Sequence, residues 1–162
     1  MRVLPPDRGL RLIVACDGAA RGNPGPAGIG VRITDGAGRV LAELAEGIGV
    51  ATNNVAEYTA AIRGLERARE LGATDVLLRS DSRLLVEQLA GRYRVKNPNL
   101  QVLHRRVREL AAAFERVGYE HVPRDRNAEA DRLANRGVDE WVASRRSPSA
   151  APPRPGAGEG PP

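Results

Sequence analysis

Residues 13–18 read IVACDG, an apolar run that ends at a carboxylate. A short apolar run that closes on Asp-Gly predicts a buried strand leading into a turn. We expect this strand near residues 10–16, so that Asp17 stands at one end of a sheet. The remaining elements of the chain are expected to assemble around it.

The bulk composition is that of one globular domain. The chain has 162 residues, of which 41% are hydrophobic and 28% charged, as in folded domains of ordinary size. No apolar stretch reaches the roughly 18 residues of a membrane span, and no apolar block with a cleavage site follows the N-terminus. We therefore expect a soluble protein with no membrane partner. The single cysteine, Cys16, predicts core packing in a reducing cytoplasm.

The charge balance favours a polyanionic partner. The net charge is +5 and the sequence pI is about 10.3, which is typical of proteins that bind nucleic acid. Only Lys96 is a lysine among 25 basic residues, and a GC-rich genome would explain the abundance of arginine equally well. Basicity therefore supports nucleic-acid binding without establishing it.

Apolar spacing and turn residues predict the element order β-β-β-α-β-α-α-β-α. This order describes an α/β fold with a mixed five-stranded sheet and helices packed on it. We expect a flexible lead-in at 1–9, a folded domain at 10–143 and a disordered Pro/Gly-rich tail at 144–162. The strands are expected near 10–16, 27–34, 39–47, 76–78 and 119–122, and the helices near 54–71, 82–89, 99–117 and 127–142.

The segment from Gly18 to Gly30 is rich in residues that permit unusual backbone conformations. It contains five glycines and two prolines. Such a segment predicts a tight turn whose backbone amides can approach a ligand, and a plain hairpin connection is the alternative.

Four carboxylates stand where the predicted elements could bring them together. Asp17 and Asp81 follow predicted strands, while Glu57 and Asp131 lie in the first turns of predicted helices. This joint placement predicts that all four form one site.

Each acid also has a local alternative. Asp17 could be only a turn residue, and Glu57 could complete a capping box with Asn54. Asp81 could cap the helix that begins at Ser82, and Asp131 could be a solvated helix residue.

Clustered carboxylates require a compensating cation, because like charges a few ångströms apart raise one another's pKa. Oxygen ligands without His or Cys select Mg²⁺ or Mn²⁺, and a pair of such ions supports phosphodiester hydrolysis. A zinc site is not expected, because the two histidines, His104 and His121, and the lone cysteine lack ligand spacing. The Gly-x-Ser-x-Gly pattern of serine hydrolases is absent from the sequence.

Four motifs, in this order, resemble the signatures of type 1 ribonuclease H across roughly residues 10–140. They imply the ribonuclease H-like fold. The motifs are Asp17-Gly18 with Asn23 and Gly28-Ile29-Gly30, then TNNVAE at 52–57, then Ser80-Asp81-Ser82, and finally NAEADRLA at 127–134.

The resemblance implies endonucleolytic hydrolysis of the RNA strand of RNA/DNA hybrids, leaving 5′-phosphate and 3′-hydroxyl ends. It implies two Mg²⁺ ions, with Mn²⁺ as a possible substitute, and a monomer without a protein partner. Asp17 would bridge both ions, and Asp81 and Asp131 would hold the ion that activates water. Glu57 would serve the other ion and sense the adjacent 2′-hydroxyl. Two alternatives remain open: another nuclease of the superfamily, such as a junction resolvase or transposase core, and a non-catalytic hybrid-binding module.

The resemblance also implies substrate contacts around the acids. Asn23 and Asn54 resemble contacts to the RNA strand, and Thr52 resembles a contact to a DNA phosphate. The same predicted substrate-binding set includes Gly18, Asn53, Arg124 and Arg126.

The chain departs from many family members in two loops. The link at 93–98 is too short for the basic protrusion that grips the hybrid in those members, although Arg92, Arg94 and Lys96 could partly replace it. The loop at 123–126 has no histidine, and Arg124 or Arg126 could stand in for it electrostatically. These departures resemble the shorter subgroup found in archaea and some bacteria.

Overall fold

The computed structural model of the chain describes residues 9–146. Residues 1–8 of the predicted lead-in and 147–162 of the predicted tail lie outside the described residues. The strands are β1 (Leu10–Ala20), β2 (Gly25–Asp35), β3 (Val40–Ala51), β4 (Ala73–Ser80) and β5 (Arg116–His121). The helices are α1 (Asn53–Glu70), α2 (Arg83–Leu89), α3 (Pro98–Ala111) and α4 (Ala128–Arg146), with a 3₁₀ turn at Arg124–Arg126.

The strands form one five-stranded sheet in the order β3-β2-β1-β4-β5. The first three strands are joined antiparallel by turns, whereas β1–β4 and β4–β5 are parallel pairs, which require the crossovers that α1, α2 and α3 supply. The predicted element order and the mixed five-stranded sheet are confirmed.

Alternation along β1 divides its side chains between the two faces of the sheet. Leu12, Val14 and Cys16 are fully buried in the core that includes Tyr58 and Leu65 of α1. Among residues 9–146, the other face is covered only near its β2–β3 end, by α4.

Glycines allow α4 to lie almost on the backbone of β2. A Cβ atom on Gly28 would lie 2.7 Å from the carbonyl oxygen of Ala134, and one on Gly30 would lie 2.1 Å from that of Ala130. The hairpin alternative for the glycine-rich segment is confirmed, because the turn occupies only residues 21–24 and both of these glycines lie inside β2. They serve helix packing.

Several predicted boundaries were wrong. The first strand continues to Ala20, so Asp17 lies inside it. The third helix ends at Ala111, six residues before the predicted end at 117, and the last helix continues to Arg146, past its predicted end at 142. Among residues 9–146, no helix combines the length and apolarity that crossing a bilayer requires.

Candidate active site

The site forms where the β1–β4 ladder ends. Pairing of these parallel strands stops at Ala15 and Arg79, while β1 continues alongside β2 alone and places Asp17 opposite Gly30. Strand β4 ends at Ser80, and Asp81 is the next residue. Beyond Ala15, the edge of β1 that faced β4 has no ladder partner in the described part of the chain, and there the carboxylates of Asp17 and Asp81 meet.

Helix α1 delivers Glu57 to the same point. Thr52 caps the helix by accepting a hydrogen bond from the Val55 N–H at 3.2 Å, and Glu57 Oε1 accepts one from the Gly18 N–H at 3.1 Å. Gly18 has to be a glycine, because a Cβ atom there would lie 2.3 Å from the carbonyl carbon of Ala56. The capping-box alternative for Glu57 was therefore wrong: the cap is Thr52, and Glu57 is bound to β1.

Helix α4 brings Asp131 from the other face of the sheet. Asn127 is buried, and its Nδ2 donates to the carbonyl oxygen of Cys16 at 3.0 Å. Its own carbonyl accepts from the Asp131 N–H at 3.0 Å. Because these two bonds fix the first turn of α4 beside β1, the Asp131 carboxyl lies near enough to Asp17 to contribute to the raised pKa of that residue. Asp131 is partly buried and is therefore not simply a solvated helix residue.

The acids form one cluster. One carboxylate oxygen from each of Asp17, Glu57 and Asp81 lies within 4.8 Å of the other two, and Asp131 adjoins Asp17. The alternative that Asp81 caps α2 was wrong, because Ser82 performs that role by accepting from the Leu85 N–H.

Electrostatics in the cluster oppose full ionisation. Burial, followed by the charges of Glu57 and Asp81, raises the pKa of Asp17 to about 9. Burial and the charge of Asp81 raise the pKa of Glu57 to about 8, against the opposing effects of the Gly18 hydrogen bond and the Arg124 charge. A hard divalent cation fits this all-oxygen donor set, because it would supply the missing positive charge.

The predicted asparagines lie beside the cluster and interlock two elements. Asn53 donates its N–H to Asn23 Oδ1 at 3.0 Å, and its own Oδ1 accepts from the Ala20 N–H at 3.1 Å. This pair ties the turn after β1 to the start of α1. The side chain of Asn54 is exposed and makes no hydrogen bond within the described part of the chain. Contacts of these residues with substrate stay predictions, as do those of Thr52 and the buried Gly18.

The two arginines of the 3₁₀ turn face different surroundings. Arg124 lowers the pKa of Glu57 through its charge and is therefore close to the acids. Arg126 lines a cavity of about 440 Å³ on the uncovered sheet face, together with Arg32 and Arg79. The sequence did not distinguish their positions.

Sequence reasoning missed the structural part of Asn127 and of the glycines of β2. The place of Asn127 at the start of the last helix was predicted, as suits a residue that is preferred just before a helix. Its bond to the Cys16 carbonyl could not be predicted, because it joins residues 111 positions apart.

The chain matches a family model described as reverse transcriptase-like over residues 15–137. Ribonuclease HI of Halobacterium salinarum is 46% identical over 138 residues, which is 85% of this chain and 69% of that protein. The chain belongs to the type 1 ribonuclease H family. The family predicted from the sequence motifs is confirmed.

Two further matches show how much of this chain, and how much of each similar protein, the similarity covers. The bifunctional protein Rv2228c of Mycobacterium tuberculosis is 50% identical over 131 residues. The match covers 80% of this chain but only 36% of the length of that relative. The solved structure of LC11-RNase H1 in complex with an RNA/DNA hybrid has a TM-score of 0.78 at 43% identity, and the match covers 81% of this chain and 99% of that one. The predicted ribonuclease H-like fold is confirmed.

Proposed function

We propose that the chain is a metal-dependent endoribonuclease that hydrolyses the RNA strand of RNA/DNA hybrids to 5′-phosphate and 3′-hydroxyl ends. The observation that carries the proposal is the carboxylate cluster, in which oxygens of Asp17, Glu57 and Asp81 lie within 4.8 Å of one another. Relatives named ribonuclease HI and a similar structure in complex with an RNA/DNA hybrid support it.

The four acids Asp17, Glu57, Asp81 and Asp131 would hold two Mg²⁺ ions, with Mn²⁺ as a possible substitute. Bound divalent cations supply Lewis acidity, which lowers the pKa of water and stabilises the charge on a leaving oxygen. The chain's own contribution is position. Glu57 commits Oε1 to the Gly18 amide and keeps Oε2 for a ligand, while Asn127 holds Asp131 in place through the first turn of α4.

We assign recognition of the RNA strand to the asparagines beside the carboxylate cluster. A 2′-hydroxyl both donates and accepts hydrogen bonds, so a side-chain amide can distinguish RNA from DNA. The exposed amide of Asn54 is available for this contact, while Asn23 and Asn53 preserve the local backbone. Thr52 would contact a phosphate of the DNA strand, and such contacts position the duplex without reading its sequence.

We further propose that the protein acts as a monomer in a reducing cytoplasm. All four acids come from a single chain, so the site needs no second copy. The only cysteine is buried in β1, which suits a compartment without disulfide chemistry.

The test is gel analysis of an end-labelled RNA/DNA hybrid in Mg²⁺, Mn²⁺ or EDTA. Single-stranded RNA, RNA/RNA and DNA/DNA duplexes and a DNA junction are run alongside it. We expect metal-dependent cuts confined to the RNA of the hybrid. Cleavage of the junction alone would identify another nuclease of the superfamily, and hybrid binding without cleavage in either metal would identify a binding module.

Matched variants connect the activity to the cluster. Asp17→Asn should lower the cleavage rate by more than about a hundredfold, because it removes a charge on which metal binding depends. Asp139→Asn makes the same chemical change at an exposed position of α4, where Asp139 pairs with Arg21, and should leave the rate within about twofold. Near-normal turnover by Asp17→Asn would refute the metal-site assignment.

A further inference from the structure

Three arginines without acidic partners gather around one cavity. Within residues 9–146, Arg94, Arg105 and Arg108 line this cavity and form no ion pair. Their neighbours differ: Arg92 is bound to Glu87, and Arg106 lies 3.5 Å from Glu66. The concentration of unpaired guanidinium groups gives the cavity a positive charge that arginine abundance alone does not explain.

The cavity is bounded by α2, the link at 91–97 and α3, and has a volume of about 660 Å³. One acid, Glu109, lies on its rim, and its carboxylate is 3.6 Å from Arg106. The charge of Glu109 is therefore partly compensated from outside. A cavity of this size accommodates a group as large as a whole nucleotide.

The floor of the cavity is fixed before any ligand arrives. Gln88 is only 5% exposed, and its Oε1 accepts from the Tyr58 hydroxyl at 2.6 Å. Its Nε2 donates to the carbonyl oxygen of Arg94 at 3.2 Å, and its own carbonyl lies 3.1 Å from His104 Nε2. These bonds hold the link against α1 and α3, so the cavity keeps its shape.

An aromatic ring stands at the rim. Tyr93, which directly precedes Arg94, is 48% exposed. The half-buried side chain of Val95 extends the apolar wall of the cavity beside it. Proteins that bind single-stranded nucleic acid combine such a stacking platform with cationic groups for the backbone. Both parts are present here.

The cavity lies a short distance from the carboxylate cluster. Helix α2 begins two residues after Asp81, and its seven residues span about 10 Å. This corresponds to about three nucleotide steps along one strand. The floor of the cavity is tied to the site as well, because Tyr58, which donates to Gln88, directly follows Glu57 on α1.

We propose that this cavity binds one unpaired nucleotide of a single-stranded extension next to the hybrid. Arg94, Arg105 and Arg108 hold its phosphates, and its base stacks on Tyr93. This inference rests on the proposed function, since it presumes that a hybrid occupies the carboxylate cluster. It predicts a preference for hybrids that adjoin single strands over blunt hybrids.

The test compares the affinity of the full chain for a blunt RNA/DNA hybrid and for the same hybrid with a short RNA extension at either end. Affinity is measured by fluorescence anisotropy in EDTA, where no cleavage occurs. We expect the wild-type protein to bind one extended hybrid about tenfold more tightly than the blunt one, the factor expected for one stacked base. Arg105→Ala/Arg108→Ala and Tyr93→Ala should each abolish this advantage.

The matched control is Arg67→Ala/Arg69→Ala, which removes the same charge from an exposed part of α1 away from the cavity and should keep the advantage. Alanine favours helices, and thermal melts verify folding of each variant. Equal affinity of the wild-type protein for blunt and extended hybrids overturns the proposal, and so does an equal loss on both substrates in Arg105→Ala/Arg108→Ala. Cleavage of the blunt hybrid in Mg²⁺ separates the failures: an active enzyme without extension preference contradicts only this inference, whereas an inactive one contradicts the proposed function.

Discussion

Gly30 lies directly opposite Asp17 in the antiparallel ladder of β1 and β2. A Cβ atom on Gly30 would lie 2.1 Å from the carbonyl oxygen of Ala130 and 2.4 Å from the Ala134 nitrogen. Gly30, the cross-strand neighbour of Asp17, therefore sets how closely α4 can bring the carboxylate of Asp131 to that of Asp17.

Gly30→Ala should lower both stability and activity. The added methyl group would meet backbone atoms, which cannot rotate away, so α4 has to shift. Overpacking of this kind costs about 1–3 kcal/mol, and the shift moves Asp131 away from Asp17. Thermal melts and cleavage rates of a hybrid test both effects.

The control for this variant is Gly36→Ala. Gly36 lies in the β2–β3 turn and has no neighbouring heavy atom within 4 Å of an added Cβ, so stability and rate should stay close to wild type. A Gly30→Ala protein that melts and cleaves like Gly36→Ala would contradict the packing argument.

The metal-free protein should become less stable as the pH rises from about 5 to about 9. Burial and neighbouring carboxylates raise the pKa of Asp17 to about 9 and that of Glu57 to about 8. The folded state therefore binds more protons than the unfolded chain in this range, and stability falls with pH wherever that holds. Melting temperatures in EDTA at a series of pH values measure the slope.

Asp17→Asn should flatten that slope, because it removes the group with the most strongly raised pKa, and it should raise the melting temperature at pH 8. Addition of Mg²⁺ to the wild-type protein should have the same effect by compensating the carboxylates. A melting temperature in EDTA that rises with pH over this range would show that the acids are not electrostatically strained.

Neighbouring asparagines should separate into structural and substrate-binding classes. Asn53→Ala removes the side-chain acceptor for the Ala20 N–H and should cost about 1 kcal/mol of stability. Asn54→Ala removes no protein hydrogen bond and should raise KM for the hybrid without changing the melting temperature. Kinetics and melts of the two variants, measured in parallel, decide the point, and a stability loss confined to Asn54→Ala would reverse the assignment.

The arginines of the 3₁₀ turn should differ in effect. Arg124→Ala removes a positive charge close to Glu57 and should raise the pH at which the cleavage rate reaches half its maximum, since the pKa of Glu57 rises. Arg126→Ala alters the cavity on the uncovered sheet face and should leave the pH profile unchanged. Identical profiles for the two variants would show that the turn acts only through its overall charge.

The element order and the joint placement of the acids could be predicted from the sequence because both follow from local patterns. The apolar repeat misled only at ends. The buried Phe114 follows Leu110 by four residues, so the helical spacing of apolar residues continues beyond the end of α3 at Ala111. This spacing made the predicted helix too long. Asp17 was expected at a strand end because Asp-Gly usually marks a turn, whereas pairing with β2 alone carries β1 onward to Ala20.

The parts that the sequence could not reveal depend on distant partners. A sequence with glycines at positions such as Gly28 and Gly30 is equally compatible with a ligand-binding turn and with a strand against which a helix packs closely. The partner that decides between them is the α4 backbone, about a hundred residues later in the chain. The Asn127 bond to Cys16 and the closeness of Arg124 to Glu57 are likewise products of tertiary structure.

The docking of α4 on β2 also determines when the site can form during synthesis of the chain. Synthesis delivers the N-terminal residues of a chain first, and Asp17, Glu57 and Asp81 all precede the last described helix, which carries Asp131. A nascent chain can therefore complete its sheet while the acid set is still one member short. The proposed cleavage would then begin only after α4 has emerged and docked on the glycines of β2, and a chain stalled on the ribosome before this point would be inactive.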